Sequence, residues 1–257
     1  MITTHITNAI GTITLNHVAR RNALSEALVD LVIEALAEFG RQEVRCAVLR
    51  AQPGAKVWSA GHDIAELPGA GQDPLGWRDP LRHLIREIEN FSAPVIAMVE
   101  GTVWGGACEA VLACDLIIAT PHTTFAATPA KLNVPYNVSG LLTFLNGTHL
   151  HIAKEMLFTA QPIPASRLER MGIINHVVSP EEIEAFTDNM ASTIAQNAPL
   201  SISVMKEQLR ILAGAHAMSP QGFERIQGMR RVVYNSLDYA EGKQAFKEKR
   251  KPVFKGV

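Results

Sequence analysis

Trp58-Ser59-Ala60-Gly61-His62-Asp63 and Trp104-Gly105-Gly106-Ala107-Cys108-Glu109 each follow an apolar run that reads as a buried strand. Each segment places glycine where backbone must approach another group closely. Two such bends can aim two main-chain N–H groups at one point. A pair of converging N–H donors is an oxyanion hole, a preformed site for negative charge developing on a carbonyl oxygen.

Working outward, the strand signals alternate with helix signals. Ile10 to Leu15 alternates apolar and small or polar residues and predicts a strand. Asn22-Ala23-Leu24-Ser25 leads into a helix through Leu28, Leu31, Val32, Ala35, Leu36 and Phe39, with Gly40 as its stop. Cys46 to Leu49 predicts a strand covered on both faces, Lys56 to Ser59 a second, and Pro94 to Val99 a third that delivers Gly105-Gly106. After Gly106 the chain predicts a helix through Glu109, Val111, Leu112 and Cys114, whose N-terminal partial charge would add to the site. Leu116 to Ala119 returns as a strand. This rhythm is that of an α/β fold with right-handed crossovers.

Residues 67–80 are dense in glycine and proline and predict an irregular lid beside the first glycine bend. Past residue 140 the chain turns helical. Ser179-Pro180-Glu181-Glu182 is a capping box ahead of Ile183, Phe186, Met190 and Ile194. Segments near 199–213, 219–236 and 238–249 predict further helices. The chain divides into a core over 1–195 and a helical region over 196–257.

The 257 residues are 47% hydrophobic, enough for a sizeable core, and carry a formal charge of −1. That balance gives no reason to expect nucleic acid or an anionic membrane as partner. No apolar run reaches the length of a membrane span and no leader is visible, so a cytoplasmic protein is expected. Cys46, Cys108 and Cys114 suit buried thiols in a reducing compartment. The histidines show no metal-ligand spacing, and no metal is expected.

The two glycine segments, Pro94 to Val99, Asn22-Ala23-Leu24-Ser25 and the Lys249-Arg250-Lys251-Pro252 end together resemble the crotonase, or enoyl-CoA hydratase/isomerase, superfamily over nearly the whole chain. The resemblance implies a ββα spiral core, a C-terminal helical region for trimer contacts, and a homo-oligomer (a trimer or dimer of trimers). It implies an acyl-CoA thioester substrate, coenzyme A belonging to the substrate rather than serving as a cofactor. By position, the oxyanion donors are the backbone amides of His62 and Gly106. Ala60, Gly61, Asp63 and Ile64 are then substrate-binding positions. Arg21 and Ala23, with Arg20 beside them, lie where the family runs its chain past pantetheine and phosphates. Thr128 and Lys249 match substrate-contacting positions, Lys249 from a neighbouring subunit.

Hydration of an enoyl thioester uses two carboxylates. One falls at Glu109; the other matches Pro129, which does no acid–base work. Within the family, the runs Glu66-Leu67-Pro68, Val134-Pro135-Tyr136-Asn137 and Phe223 to Arg231 are similar to its decarboxylating branch. That likeness implies biotin-independent conversion of (R)-methylmalonyl-CoA to propionyl-CoA, with Tyr136 orienting the substrate carboxylate and Glu109 as a catalytic candidate. Hydration or isomerisation run by Glu109, and a non-catalytic acyl-CoA-binding module, are the alternatives. Arg82 is a candidate anion partner. Asn133 stands where the family commonly has glycine, and Ala65 where the decarboxylating branch has histidine.

Overall fold

The computed structural model describes residues 1–256. β1 (Ile2–Thr7) and β2 (Ile10–Leu15) form a hairpin whose turn residues, Asn8 and Ala9, both have positive φ. α1 (Glu26–Arg41) follows, capped by the Ser25 hydroxyl, which accepts from the Leu28 N–H. Gly40 does not stop it. The helix passes through Gly40 and ends one residue later, because nothing packs where a Gly40 β-carbon would stand and its φ is not positive.

Three strand pairs then repeat one pattern: β3 (Cys46–Ala51) with β4 (Val57–Ser59), β5 (Val95–Val99) with β6 (Thr102–Trp104), and β7 (Leu116–Ala119) with β8 (Thr124–Ala126). The first strand of each pair joins one sheet and the second joins another. The large sheet runs β1-β2-β3-β5-β7-β10 and is parallel except for β1; the small one runs β4-β6-β8-β9, with β9 antiparallel. α2 (Pro80–Asn90) follows the first pair and α3 (Gly106–Leu112) the second. α4 (Val138–Gly147), α5 (Leu150–Thr159), β9 (Ile163–Pro164), α6 (Ala165–Arg170), β10 (His176–Val177) and α7 (Ile183–Gln196) complete the core. The result is the expected spiral of strand–strand–helix turns.

Period-two alternation on the central strands serves two layers. Ala47, Leu49, Val95, Ala97 and Val99 face the main core with α1, α2 and α3. Cys46, Val48, Ile96, Met98 and Ile118 face Ile183 and Ala191 of α7. This is the two-sided burial expected of Cys46 to Leu49. All three thiols are free and buried; desolvation pushes Cys46 and Cys108 up to about 12 and Cys114 higher still.

α7 begins at Ile183, later than the capping box implies. The Ser179 hydroxyl bonds the Glu182 carboxylate at 2.8 Å, so its own turn precedes the helix instead of opening it. Likewise α3 stops at Leu112, short of Cys114. α8 (Pro199–Ala213), α9 (Pro220–Asn235) and α10 (Leu237–Lys247) end the chain. α8 has no buried residue, and Leu200, Val204, Leu209, Ile211 and Leu212 lie exposed along it. No described helix is long and apolar enough to cross a membrane.

Candidate active site

The two glycine bends sit at the C-terminal ends of β4 and β6, adjacent parallel strands of the small sheet. Gly61 has φ +83°. A β-carbon there would stand 2.4 Å from the Trp104 carbonyl oxygen and 2.9 Å from the Gly106 nitrogen, so only glycine lets the bends meet. A β-carbon on Gly106 would lie 3.6 Å from the His62 nitrogen. The amides of His62 and Gly106 are therefore neighbours. Among the described residues neither has an intramolecular acceptor. Both residues line one cleft.

The first bend is held from behind. Leu24 N–H donates to the Gly61 carbonyl at 2.8 Å, and Ala60 N–H to the Arg21 carbonyl at 2.9 Å. The Ser59 hydroxyl donates to the Asn22 carbonyl and accepts from the Gly61 N–H. Buried Asn22 ties the strand end to the preceding loop, donating to the Trp58 carbonyl and accepting from the His17 N–H. Sequence reasoning treated Asn22 as a helix lead-in. Its φ of +50° is the left-handed conformation that asparagine tolerates.

The cleft measures about 490 Å³ including its open mouth. Its walls are Ala60, His62, Ile64, Leu67, Leu75, Leu81, Gly105, Gly106, Thr128, Pro129, Leu132, Val134 and Tyr136. Of the sequence-predicted residues, Ala60, His62, Ile64, Gly106, Thr128 and Tyr136 thus share one space. Gly61 shapes the bend from beneath. Arg21 is exposed and Ala23 buried, both on the segment bonded to Ala60–Gly61. Asp63 does not line the cleft; its carboxylate accepts from the Ala65 N–H and pairs with Arg20 at 2.7 Å, which holds it below the usual carboxylate range despite burial. Exposed Lys249 also lies off these walls, in the left-handed conformation.

Tyr136 packs edge-on against Phe144 with ring centroids 5.5 Å apart and an interplanar angle of 76°. Its hydroxyl makes no hydrogen bond among the described residues. Burial first, and then the Glu109 charge, push it well above the ordinary phenol value, so it presents a neutral O–H donor. Asn133, just ahead, adopts φ +52°, which accounts for glycine being common there in the family. Its side chain donates to Ser236.

Glu109 is fully buried on α3 and absent from the cleft walls. It forms an ion pair with Arg82 of α2, itself 3% exposed. Burial pushes the Glu109 carboxyl up and Arg82 pulls it only partly back. Arg82 is thus an anion partner, but of a protein carboxylate. Among the described residues no cluster of three or more His, Cys, Asp or Glu side chains is gathered to hold a metal ion.

The expected lid is irregular from Leu67 to Asp79 and is pinned from the C-terminal region. Arg230 of α9, buried, makes a bidentate pair with Asp73 at 2.5 and 2.8 Å and donates to the Pro135 carbonyl, next to Tyr136. Lys243 and Tyr239 of α10 donate to the Leu67 and Pro68 carbonyls, and Asn137 to that of Leu75. None of these ties was read from sequence; Arg230 sits within the Phe223–Arg231 run that carried the resemblance.

The enoyl-CoA hydratase/isomerase family model matches residues 5–257. The chain is 52% identical to methylmalonyl-CoA decarboxylase of Escherichia coli strain K12 over 97% of its own length and 95% of that protein's. It resembles the solved structure of methylmalonyl-CoA decarboxylase in complex with 2-nitronate-propionyl-CoA with a TM-score of 0.98 and 51% identity, covering 100% of this chain and 98% of that one. A second structure, complexed with 2S-carboxypropyl CoA, gives a TM-score of 0.97 at 51% identity and the same coverage.

Proposed function

The chain belongs to the enoyl-CoA hydratase/isomerase family, and from that premise we propose that it decarboxylates (R)-methylmalonyl-CoA to propionyl-CoA without biotin or metal. One observation carries the reading: two unengaged main-chain amides meet in an apolar cleft that has Tyr136 on its wall and no carboxylate side chain among its lining residues.

The chemistry asks little more. The C–C bond to the carboxylate breaks, its electron pair enters the thioester as an enolate, CO₂ leaves, and a proton adds to the α carbon. The electrons delocalise only when the breaking bond stands perpendicular to the thioester plane. The His62 and Gly106 amides stabilise the enolate oxygen; one such donor is worth about 10²–10³ in rate. Tyr136, a neutral donor, holds the carboxylate in that orientation. The apolar walls disfavour the charged ground state. Hydration would need a base at the cleft, and Glu109 is instead sealed away with Arg82.

Thr128 contacts the acyl end, and Ala60, Ile64, Arg21 and Ala23 follow the pantetheine. Lys249 reaches the ligand from a neighbouring subunit. Residues 1–195 form the spiral core carrying the site. Residues 196–257 make the contacts of a trimer or dimer of trimers, a reading supported by the uncovered apolar side chains of α8. The protein acts in the cytoplasm. Incubation of purified protein with methylmalonyl-CoA, followed by mass spectrometry, yields propionyl-CoA; no product from folded protein overturns the assignment. Light scattering at micromolar concentration gives a mass at least three times that of the chain, and a monomer overturns the oligomer.

A further inference from the structure

The first oxyanion donor is carried by a histidine, and the ring of that histidine is spoken for on both nitrogens. His62 Nε2 lies 2.6 Å from Asp79 Oδ2 and Nδ1 lies 3.1 Å from the Asp63 carbonyl oxygen. Both neighbours are acceptors only. A neutral imidazole has one N–H and would point a lone pair at one of them, whereas the imidazolium satisfies both. The Asp79 carboxylate is itself fixed: its other oxygen caps α2, accepting from the Arg82 N–H. The ring therefore spans from the first glycine bend to the start of the helix whose Leu81 lines the cleft beside Gly106.

We infer that His62 is a positioning residue as well as an oxyanion donor: its doubly protonated ring, bridged between the Asp63 carbonyl and the Asp79 carboxylate, locks its own main-chain N–H in place, so that turnover fails as the ring loses a proton. The inference rests on the oxyanion-hole reading above. The charged groups around the ring are Asp79 from α2, Asp63 and Glu66 on its own segment, Arg20, which neutralises Asp63, and beyond Asp79 the paired Arg82 and Glu109. The balance is acidic. Burial alone would lower the imidazole, but Asp79, the Asp63 carbonyl and Glu66 together outweigh it and the net shift is upward from 6.5. A raised value means the clamp is fully present below about 6.5, the unfolded-chain value, and is lost as pH rises through the higher folded-state value.

Two measurements test this. In the steady state with methylmalonyl-CoA, the wild-type kcat is flat at low pH and falls on the alkaline side. Asp79→Asn, which keeps a good N-cap for α2, moves that falling limb down by about 1 pH unit or more. His62→Ala keeps its backbone N–H, lowers kcat by up to about 10²-fold with little change in KM, and abolishes the limb. A limb unmoved by Asp79→Asn, or full kcat in His62→Ala, overturns the inference. Independently of turnover, ¹⁵N spectra of the imidazole, assigned by its absence in His62→Ala, show both nitrogens protonated at pH 6.5. One unprotonated nitrogen there overturns the clamp. If folded protein turns over no methylmalonyl-CoA at any pH, the decarboxylation reading falls, while the ¹⁵N result still decides the state of the ring.

Discussion

One wall of the cleft is made of backbone and the other of side chains. On the His62–Gly106 wall the groups proposed to act are amides, placed by two glycine bends that touch and by a net of hydrogen bonds around Asn22 and Ser59. On the Tyr136 wall the group proposed to act is a phenol, placed by packing on Phe144 and by Arg230 reaching across from α9. Apart from the His62 ring, the first wall should tolerate side-chain changes and fail when a β-carbon is added. The second should do the reverse. Behind the cleft lining, the buried Arg82–Glu109 pair links the helix that carries Gly106 to the helix that Asp79 caps.

The hardest blow falls on that buried pair. Glu109→Ala leaves the Arg82 guanidinium buried without its partner, and stability in urea drops by about 3–5 kcal/mol. Replacing both members with apolar residues of similar volume restores most of it. Next comes the backbone wall. Gly61→Ala forces a β-carbon onto the Trp104 carbonyl at a positive φ, and kcat falls about 10²–10³-fold, the worth of one donor. A loss under tenfold in folded protein would mean that the bends are free to part.

The side-chain wall yields less. Tyr136→Phe keeps the ring and removes one hydrogen bond to a charged carboxylate, worth about 1.5–3 kcal/mol, so kcat/KM falls about 10- to 150-fold. Full activity would take the tyrosine out of the mechanism. Smallest is Arg230→Met, which cuts the tie between α9, Asp73 and the Pro135 carbonyl while keeping the stem. The expected loss is about tenfold in kcat with the melting temperature lowered by a few degrees, about 2–4 °C per kcal/mol for a chain of this size. An Arg230→Met loss larger than that of Tyr136→Phe would reverse the ranking of the two walls.

The same division governs what sequence can disclose. The backbone wall is legible because its parts are local. Apolar runs end at glycine, and glycine marks where main chain meets main chain. The side-chain wall is not, because its ties join residues far apart along the chain, Asp73 with Arg230 and Lys243 with Leu67, and no periodicity encodes such pairs. The three-residue strands of the small sheet are too short to show alternation, so a second sheet was not apparent from pattern alone. Resemblance supplied Tyr136 and the departure at Asn133. The left-handed backbone at residue 133 supplies the reason glycine and asparagine exchange there. The ends of α1 and α7 shifted for local reasons: Gly40 is an ordinary helical residue, and Ser179 spends its hydroxyl on Glu182.

The sealed thiols have a use beyond packing. Cys46 and Cys108 are 0% exposed and Cys114 7%, and each is held in its unreactive protonated form. Alkylating reagents meet them only when the molecule opens. Cys108 sits beside Gly106 and Cys46 between the large sheet and α7, so the order in which the three are labelled reports which layer lets go first.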